Sequence, residues 1–239
     1  MRRFLAFDIE TAKVVPDVVD DLLAFRPLGI ACAAAVARDR SEPLVWHGMD
    51  DAGQPSDRMT RGEAARLVAD LAGFVSEGYT LLTWNGLGFD LNVLAEESGQ
   101  TDRCAKLAID HVDMLFHVLC DRGHLVSLAK AAEGMGLPGK TAGISGAAAP
   151  AMWAEGRRAE VLDYCVQDVR ATLDLAEACE RKGRLNWITR KGTVGKMPLR
   201  GGWLTVREAR ALPLPDTSWM SDPPSREHAL DWLTQLRPA

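Results

Sequence analysis

Two carboxylates stand close together near the start of the chain. Asp8 and Glu10 lie two apart at the end of an apolar run over residues 4–9. Side chains of a strand alternate, so both point to one face. Two acids on an apolar strand are costly to bury unless a cation meets them, and a divalent metal meets that need. Taken singly, an Asp-x-Glu at a strand end is more often just solvated. A second group, Asn85-Gly86-Leu87-Gly88-Phe89-Asp90, lies where a strand pattern over residues 79–84 gives way to a helix. Ligand sites of α/β sheets form at such carboxyl ends. Alone, Asp90 reads as a helix cap and Phe89 as core. Beside a site, Gly86 and Gly88 are expected to let the backbone approach a ligand, and Asn85 to place an amide next to it. In a third group, Tyr164 and Asp168 are four apart on a helical pattern and share a face. As an isolated pair they read as a partly buried tyrosine beside a surface aspartate.

Together the three groups carry more. Four acids arise at three places, each at a strand end or on an adjoining helix. Such hard oxygen donors suit Mg²⁺ or Mn²⁺. Two of these ions, about 4 Å apart, activate water and stabilise the leaving oxygen in phosphoryl transfer. Softer metals have little to bind. The five cysteines, Cys32, Cys104, Cys120, Cys165 and Cys179, form no Cys-x-x-Cys pair. They are expected to be reduced, buried thiols rather than a disulfide framework or zinc site. The histidines (47, 111, 117, 124 and 228) are scattered, with no metal-type pairing.

The segments FDIET (7–11), NGLGFD (85–90) and YCVQD (164–168) resemble the three exonuclease motifs of the DEDD superfamily. They match in order, in spacing and in their placement on strand, strand end and helix. The resemblance spans roughly residues 1–180. One branch of that superfamily carries histidine five positions before the last aspartate, where this chain has Asp163. The other carries tyrosine four positions before it, where this chain has Tyr164. The resemblance is therefore to the tyrosine branch, and to its stand-alone prokaryotic or phage type. It implies a ribonuclease H-like fold and a 3′-to-5′ exonuclease. Asp8, Glu10, Asp90 and Asp168 would hold two Mg²⁺ or Mn²⁺ ions, Asp8 bridging both. Tyr164 would orient the attacking water, since a free tyrosine titrates near 10, too high for a general base. Thr11, Asn85 and Phe89 would contact the terminal nucleotide. The implied substrate is the 3′ end of a single-stranded nucleic acid, DNA favoured. An exoribonuclease of the same branch is one alternative. A non-catalytic nucleic-acid-binding module is the other, and retention of all five residue types argues against it.

The elements expected to position these residues follow from periodicity. Residues 4–9, 28–37 and 43–47 read as strands of an antiparallel meander. Residues 60–76 read as a helix with Thr60 and Glu63 as a capping box. A strand at 79–84, a helix at 90–97 and a last strand at 109–112 follow. Helices are expected at 114–120, 125–133 and 159–181, with a small-residue loop at 138–150. Strands joined through helices should be parallel. The expectation is an α/β fold, a mixed five-stranded sheet with helices on its faces. The domain division expected is 1–184 for the nuclease and 185–239 for an irregular extension packed on it, ending in a short helix at 225–236. Asp113 could serve as a second acid behind the site or as a helix cap. Lys140 is expected to be a solvated lysine in the loop.

Composition bounds the partners. Of 239 residues, 47% are hydrophobic, enough for a real core and against general disorder. No apolar run is long enough for a membrane span, and acids follow too soon after Met1 for a signal peptide, so the expected location is cytoplasmic. The net charge of −5 argues against a protein that coats duplex DNA. Yet residues 181–210 hold nine Lys/Arg and one acid, Glu208, a net +8 that leaves −13 for the remainder. A basic arm holding substrate phosphates beside an acidic metal site, or a merely solvated basic face, would each give this pattern.

Overall fold

A computed structural model describes residues 2–16, 21–138 and 146–234. The central strand, β1 (Arg3–Thr11), lies between β2 (Ile30–Val36), which is antiparallel to it, and β4 (Tyr79–Thr83), which is parallel. β3 (Leu44–His47) pairs antiparallel with β2, and β5 (Val112–Asp113) pairs parallel with β4. The sheet order is therefore β3-β2-β1-β4-β5, an antiparallel meander extended by two parallel strands, as the sequence predicts. With its flanking helices this is the mixed α/β architecture of a ribonuclease H-like fold.

Alternation along β1 divides the core in two. Leu5, Phe7 and Ile9 face α1 (Arg61–Ser76), α2 (Asp90–Ser98) and α3 (Thr101–Asp110). Phe4 and Ala6 face the other way, into the cluster containing α7 (Arg158–Lys182). Opposite α7, β2 carries the small residues Cys32 and Ala34, with Val36 at its end, so the helix lies close on the sheet. Cys165 Sγ donates to the Asp8 carbonyl at 3.8 Å. α7 runs 25 residues without Gly or Pro, carries Arg181 and Lys182 in its last turn, and stops at Gly183 in the left-handed region. α1 begins with the expected capping box of Thr60 and Glu63. All five cysteines are free and buried.

Several elements differ from expectation. The strand expected at 109–112 shrinks to Val112–Asp113, because residues 101–110 form α3, whose apolar Cys104, Ala105, Leu107 and Ala108 make a helical face. α5 (Leu128–Met135) starts later than residue 125 because Ser127 caps it. It follows α4 (Met114–Arg122). The expected loop ends where α6 (Ala149–Ala154) begins, and Lys140 lies outside the described residues. Beyond residue 184, where no regular element was expected, β6 (Arg184–Ile188) and β7 (Val194–Pro198) form an antiparallel hairpin. α8 (Val206–Ala209) follows it. At the end expected to be helical, the described part comprises a 3-10 turn (His228–Leu230) and α9 (Asp231–Thr234).

The hairpin packs on α5, with Trp187 buried. A Cβ on Gly134 of α5 would stand 2.4 Å from Trp187 Cα, and one on Gly195 would stand 2.2 Å from the Trp187 ring. Both glycines are therefore dictated by close approach. Alanine at a helix interior normally gains about 1 kcal/mol over glycine. We predict that Gly134→Ala instead destabilises the protein, by about 1–3 kcal/mol from overpacking. Urea denaturation checks it, and a gain in stability would show that the hairpin does not hold this close contact.

Candidate active site

The parallel register fixes where the acids meet. Ala6 pairs with Leu82, so β4 runs out level with Phe7 and Asp8, and its following loop opens beside the acids. That loop contains Asn85, whose φ of 76° is the left-handed turn that redirects the chain. Asp113 holds it there. Its carboxylate accepts from Asn85 N (3.0 Å) and Leu87 N (2.9 Å), and from Phe116 N (3.0 Å) as the cap of α4. Thr83 Oγ1 accepts from Gly86 N (3.0 Å) and meets buried His111 Nε2 (3.0 Å). From the far end of the chain, the Trp232 indole donates to the Leu87 carbonyl at 2.8 Å.

One local expectation is corrected. Asp90 does not cap α2; it is the first residue of the helix, and Phe89 at the cap position makes no side-chain cap bond. Asp90 Oδ1 instead accepts from Ile9 N at 3.0 Å, tying the start of α2 to β1 between the two acids. Gly86 and Gly88 also serve the loop's own packing. A Cβ at Gly86 would meet the Thr83 side chain at 2.4 Å, and one at Gly88 would meet Asn85 Oδ1 at 2.8 Å.

Asp8, Glu10, Thr11, Asn85, Phe89, Asp90, Tyr164 and Asp168 all line one cleft of about 270 Å³. All eight candidate residues thus come together. Sequence reasoning missed Leu22, Trp84, Leu128 and Thr172, which complete the walls. These are ordinary core-type residues in ordinary positions, and only their convergence marks them. Its reading of the supports was also incomplete. Asp113 is both helix cap and loop anchor, and Trp232 drew no notice. Tyr164 is buried, and a Cβ on cleft-lining Gly146 would lie 4.0 Å from its hydroxyl.

Electrostatically the cleft is one-sided. Burial, then the charges of Asp90, Glu10 and Asp168, pushes the Asp8 carboxyl well above its ordinary range. Burial raises Asp90 to about 6, against relief from its bonds to Asp8 and Ile9 N. No lysine, arginine or histidine is among the described lining residues. A cluster of buried carboxylates without a side-chain cation suits divalent metal, and the donor set is all hard oxygen. Ligand atoms of Asp8, Glu10 and Cys165 lie within 4.8 Å of one another. Cys165 is nonetheless a poor ligand, because contact with Cys32 and burial hold its thiol protonated.

Residues 96–176 match a family described as a predicted 3′-5′ exonuclease related to the exonuclease domain of PolB. That stretch is about a third of the chain and includes Tyr164 and Asp168 but not Asp8, Glu10 or Asp90. Among solved structures, the family B DNA polymerase of the hyperthermophilic archaeon Pyrobaculum calidifontis matches with a TM-score of 0.54 and 22% identity. The match covers 75% of this chain and 25% of the polymerase, so the chain corresponds to about a quarter of that protein's length. No curated protein sequence matches. The polymerase likeness supports the fold, and the family match supports a nuclease function.

A carboxyl whose folded-state value is raised keeps its proton where the unfolded chain has lost it. The stability of the metal-free protein should therefore fall as pH rises from about 4 through about 6. Divalent metal, competing with those protons, should stabilise more at pH 8 than at pH 5. We predict that Mn²⁺ raises Tm by several degrees at pH 8 and little at pH 5. Asp8→Asn should raise the metal-free Tm at pH 8 and remove the metal-induced shift. Equal Mn²⁺ shifts at both pH values, or a full shift in Asp8→Asn, would remove the acids as a metal site.

Proposed function

We propose that the chain is a metal-dependent 3′-to-5′ exonuclease of the tyrosine branch and stand-alone type, removing nucleotides from single-stranded ends, DNA first among them. The observation that carries this reading is the meeting of four carboxylates and Tyr164 in one cleft without a side-chain cation. Residues 1–184 form the nuclease domain in this reading, and 185–239 an extension packed on it. Asp8, Glu10, Asp90 and Asp168 are the candidate ligands of two Mg²⁺ or Mn²⁺ ions. Bound there, such ions supply Lewis-acid activation of water and charge neutralisation at the leaving oxygen.

The remaining roles belong to the chain's own side chains. The cleft's apolar walls, Leu22, Trp84, Phe89 and Leu128, suit an unpaired terminal base and exclude water from it. Asn85 and Thr11 offer hydrogen bonds to the sugar or base of that nucleotide. The Tyr164 hydroxyl orients the attacking water. Its helix fixes it one turn from Asp168 on the same face. The loop bearing Asn85 and Phe89 is held by Asp113, Thr83 and Trp232, so these contacts are prepared before substrate arrives.

Digestion of 5′-labelled single-stranded DNA, RNA and duplex, each with Mn²⁺, Mg²⁺ or EDTA, tests the reading. The expected outcome is a ladder shortening from the 3′ end of the DNA strand, abolished by EDTA. Preference for RNA would move the chain to the ribonuclease alternative, and hydrolysis persisting after exhaustive chelation would end the metal reading. Tyr164→Phe keeps the ring's packing and loses only the hydroxyl. Misplacing water should lower kcat by roughly a hundredfold with little change in KM. An unchanged kcat would take Tyr164 out of the mechanism.

A further inference from the structure

The extension carries an exposed aromatic residue in an unusually fixed position. Trp219 is 67% exposed, yet its indole donates to the Asp216 carbonyl at 3.2 Å. The Asp216 carboxylate accepts from Ser218 N, and Met220 N donates to the Thr217 carbonyl, so the ring rides on a closed turn. That turn sits against Gly123, the left-handed cap of α4, where a Cβ would meet Thr217 Cγ2 at 2.3 Å. The next residue, His124, stands edge-on to Trp219 at 6.3 Å and to hairpin Trp187 at 5.5 Å between ring centroids. Leu125 beside it is 56% exposed.

Cations accompany this platform. Of the nine basic residues from 181 to 210, Arg181 pairs with Glu177, Lys182 binds the Met135 carbonyl and Arg207 pairs with Asp110. Arg184, Arg190, Lys191, Lys196 and Arg200 are exposed and join none of the ion pairs among the described residues. All five belong to the β6–β7 hairpin or its immediate flank. The hairpin's Trp187 touches His124, so the hairpin that bears these cations adjoins the aromatic pair. The distance to the cleft is bounded by the chain itself. Leu128 lines the cleft, and four residues fully extended span at most about 14 Å. His124 therefore lies within a few nucleotides' reach of the candidate metal site.

We propose that Trp219 and His124, with the hairpin cations Arg190, Lys191 and Lys196, form a binding track for the single strand upstream of the end held in the cleft. This deepens the nuclease reading and rests on it for the strand's polarity. Exposed aromatic faces accept any unpaired base, and exposed cations accept its phosphates, so binding is independent of sequence and weakened by salt. Because stacking needs unpaired bases, the track favours single strands over duplex.

The test is binding rather than turnover. A fluorescein-labelled 20-nucleotide strand is titrated with the full chain in EDTA, where metal-dependent cleavage is silent, and anisotropy is read across a salt series. Trp219→Ala should weaken binding roughly tenfold, Trp219→Phe should largely retain it, and Gly123→Ala, which unseats the turn, should resemble Trp219→Ala. The triple variant Arg190→Ala, Lys191→Ala, Lys196→Ala should reduce the slope of log affinity against log salt by about 2. Circular dichroism melts confirm that the exposed-residue variants remain folded. Wild-type affinity and salt slope in both Trp219→Ala and the triple variant, or no strand binding by the wild-type chain at low salt, would overturn the track. Strand binding lost in these variants, in a wild-type protein that hydrolyses nothing, would instead sink the exonuclease reading and leave the track standing.

Discussion

The carboxylates of Asp8, Glu10, Asp90 and Asp168 face one cleft whose described lining holds no lysine, arginine or histidine. Like charges gathered away from water repel one another and lose hydration, so each tends to keep its proton or to move apart. The first response is visible in the raised values of Asp8 and Asp90. The second is blocked by the surroundings. Asp8 and Glu10 sit on the central strand, paired with Ala34 and Cys32 of β2. Asp168 rides on a 25-residue helix, on the same buried face as Val161, Cys165 and Val169, and the Ile9 amide holds Asp90. Apolar packing elsewhere thus offsets an arrangement that destabilises the metal-free protein, as expected where a site rather than a core has been specified.

Bringing acids from three chain regions together requires close layers as well as strong ones. The alanines and cysteine of β2 let α7 approach until Cys165 reaches the Asp8 carbonyl. Larger residues on that face would lift the helix and carry Tyr164 and Asp168 out of reach of the strand acids. The Asn85 loop shows the same logic on a smaller scale. Two of its amides, Asn85 N and Leu87 N, converge on the Asp113 carboxylate, which also caps α4 through Phe116 N and is placed by the register of β5 beside Thr83. The two-residue strand β5 is short, but it serves as the anchor point of the loop.

This division explains what could be read from the chain. β1 and α7 carry unbroken periods, so the same-face placement of Asp8 with Glu10, and of Tyr164 with Asp168, follows from spacing alone. The sheet's mixed order follows from strands joined directly or through helices. What escaped depends on contacts between distant residues. Ile109 reads as the start of a strand ending at Val112, yet α3 claims the chain through Asp110. The hairpin escaped because glycine stands at Gly195, an inward position, where the Trp187 ring from the other strand fills the space. That Gly86 makes room for the Thr83 side chain, and Gly88 for Asn85, emerges only from the positions of those two residues.

The distribution of charge along the chain gains a physical meaning from where the elements lie. A cation inside the cleft would neutralise the acids and weaken their hold on divalent metal. Phosphates approaching the acids alone would be repelled. Both difficulties are reduced if exposed cations stand outside the cleft but within a short length of chain from it. The β6–β7 hairpin packs on α5, whose Leu128 lines the cleft, and is tied to that helix through Trp187 and Gly134. Attraction for a polyanion and concentration of negative charge can then coexist in one molecule. Long-range attraction acts over about a Debye length, 8–10 Å at moderate salt, before the acids of the cleft are met.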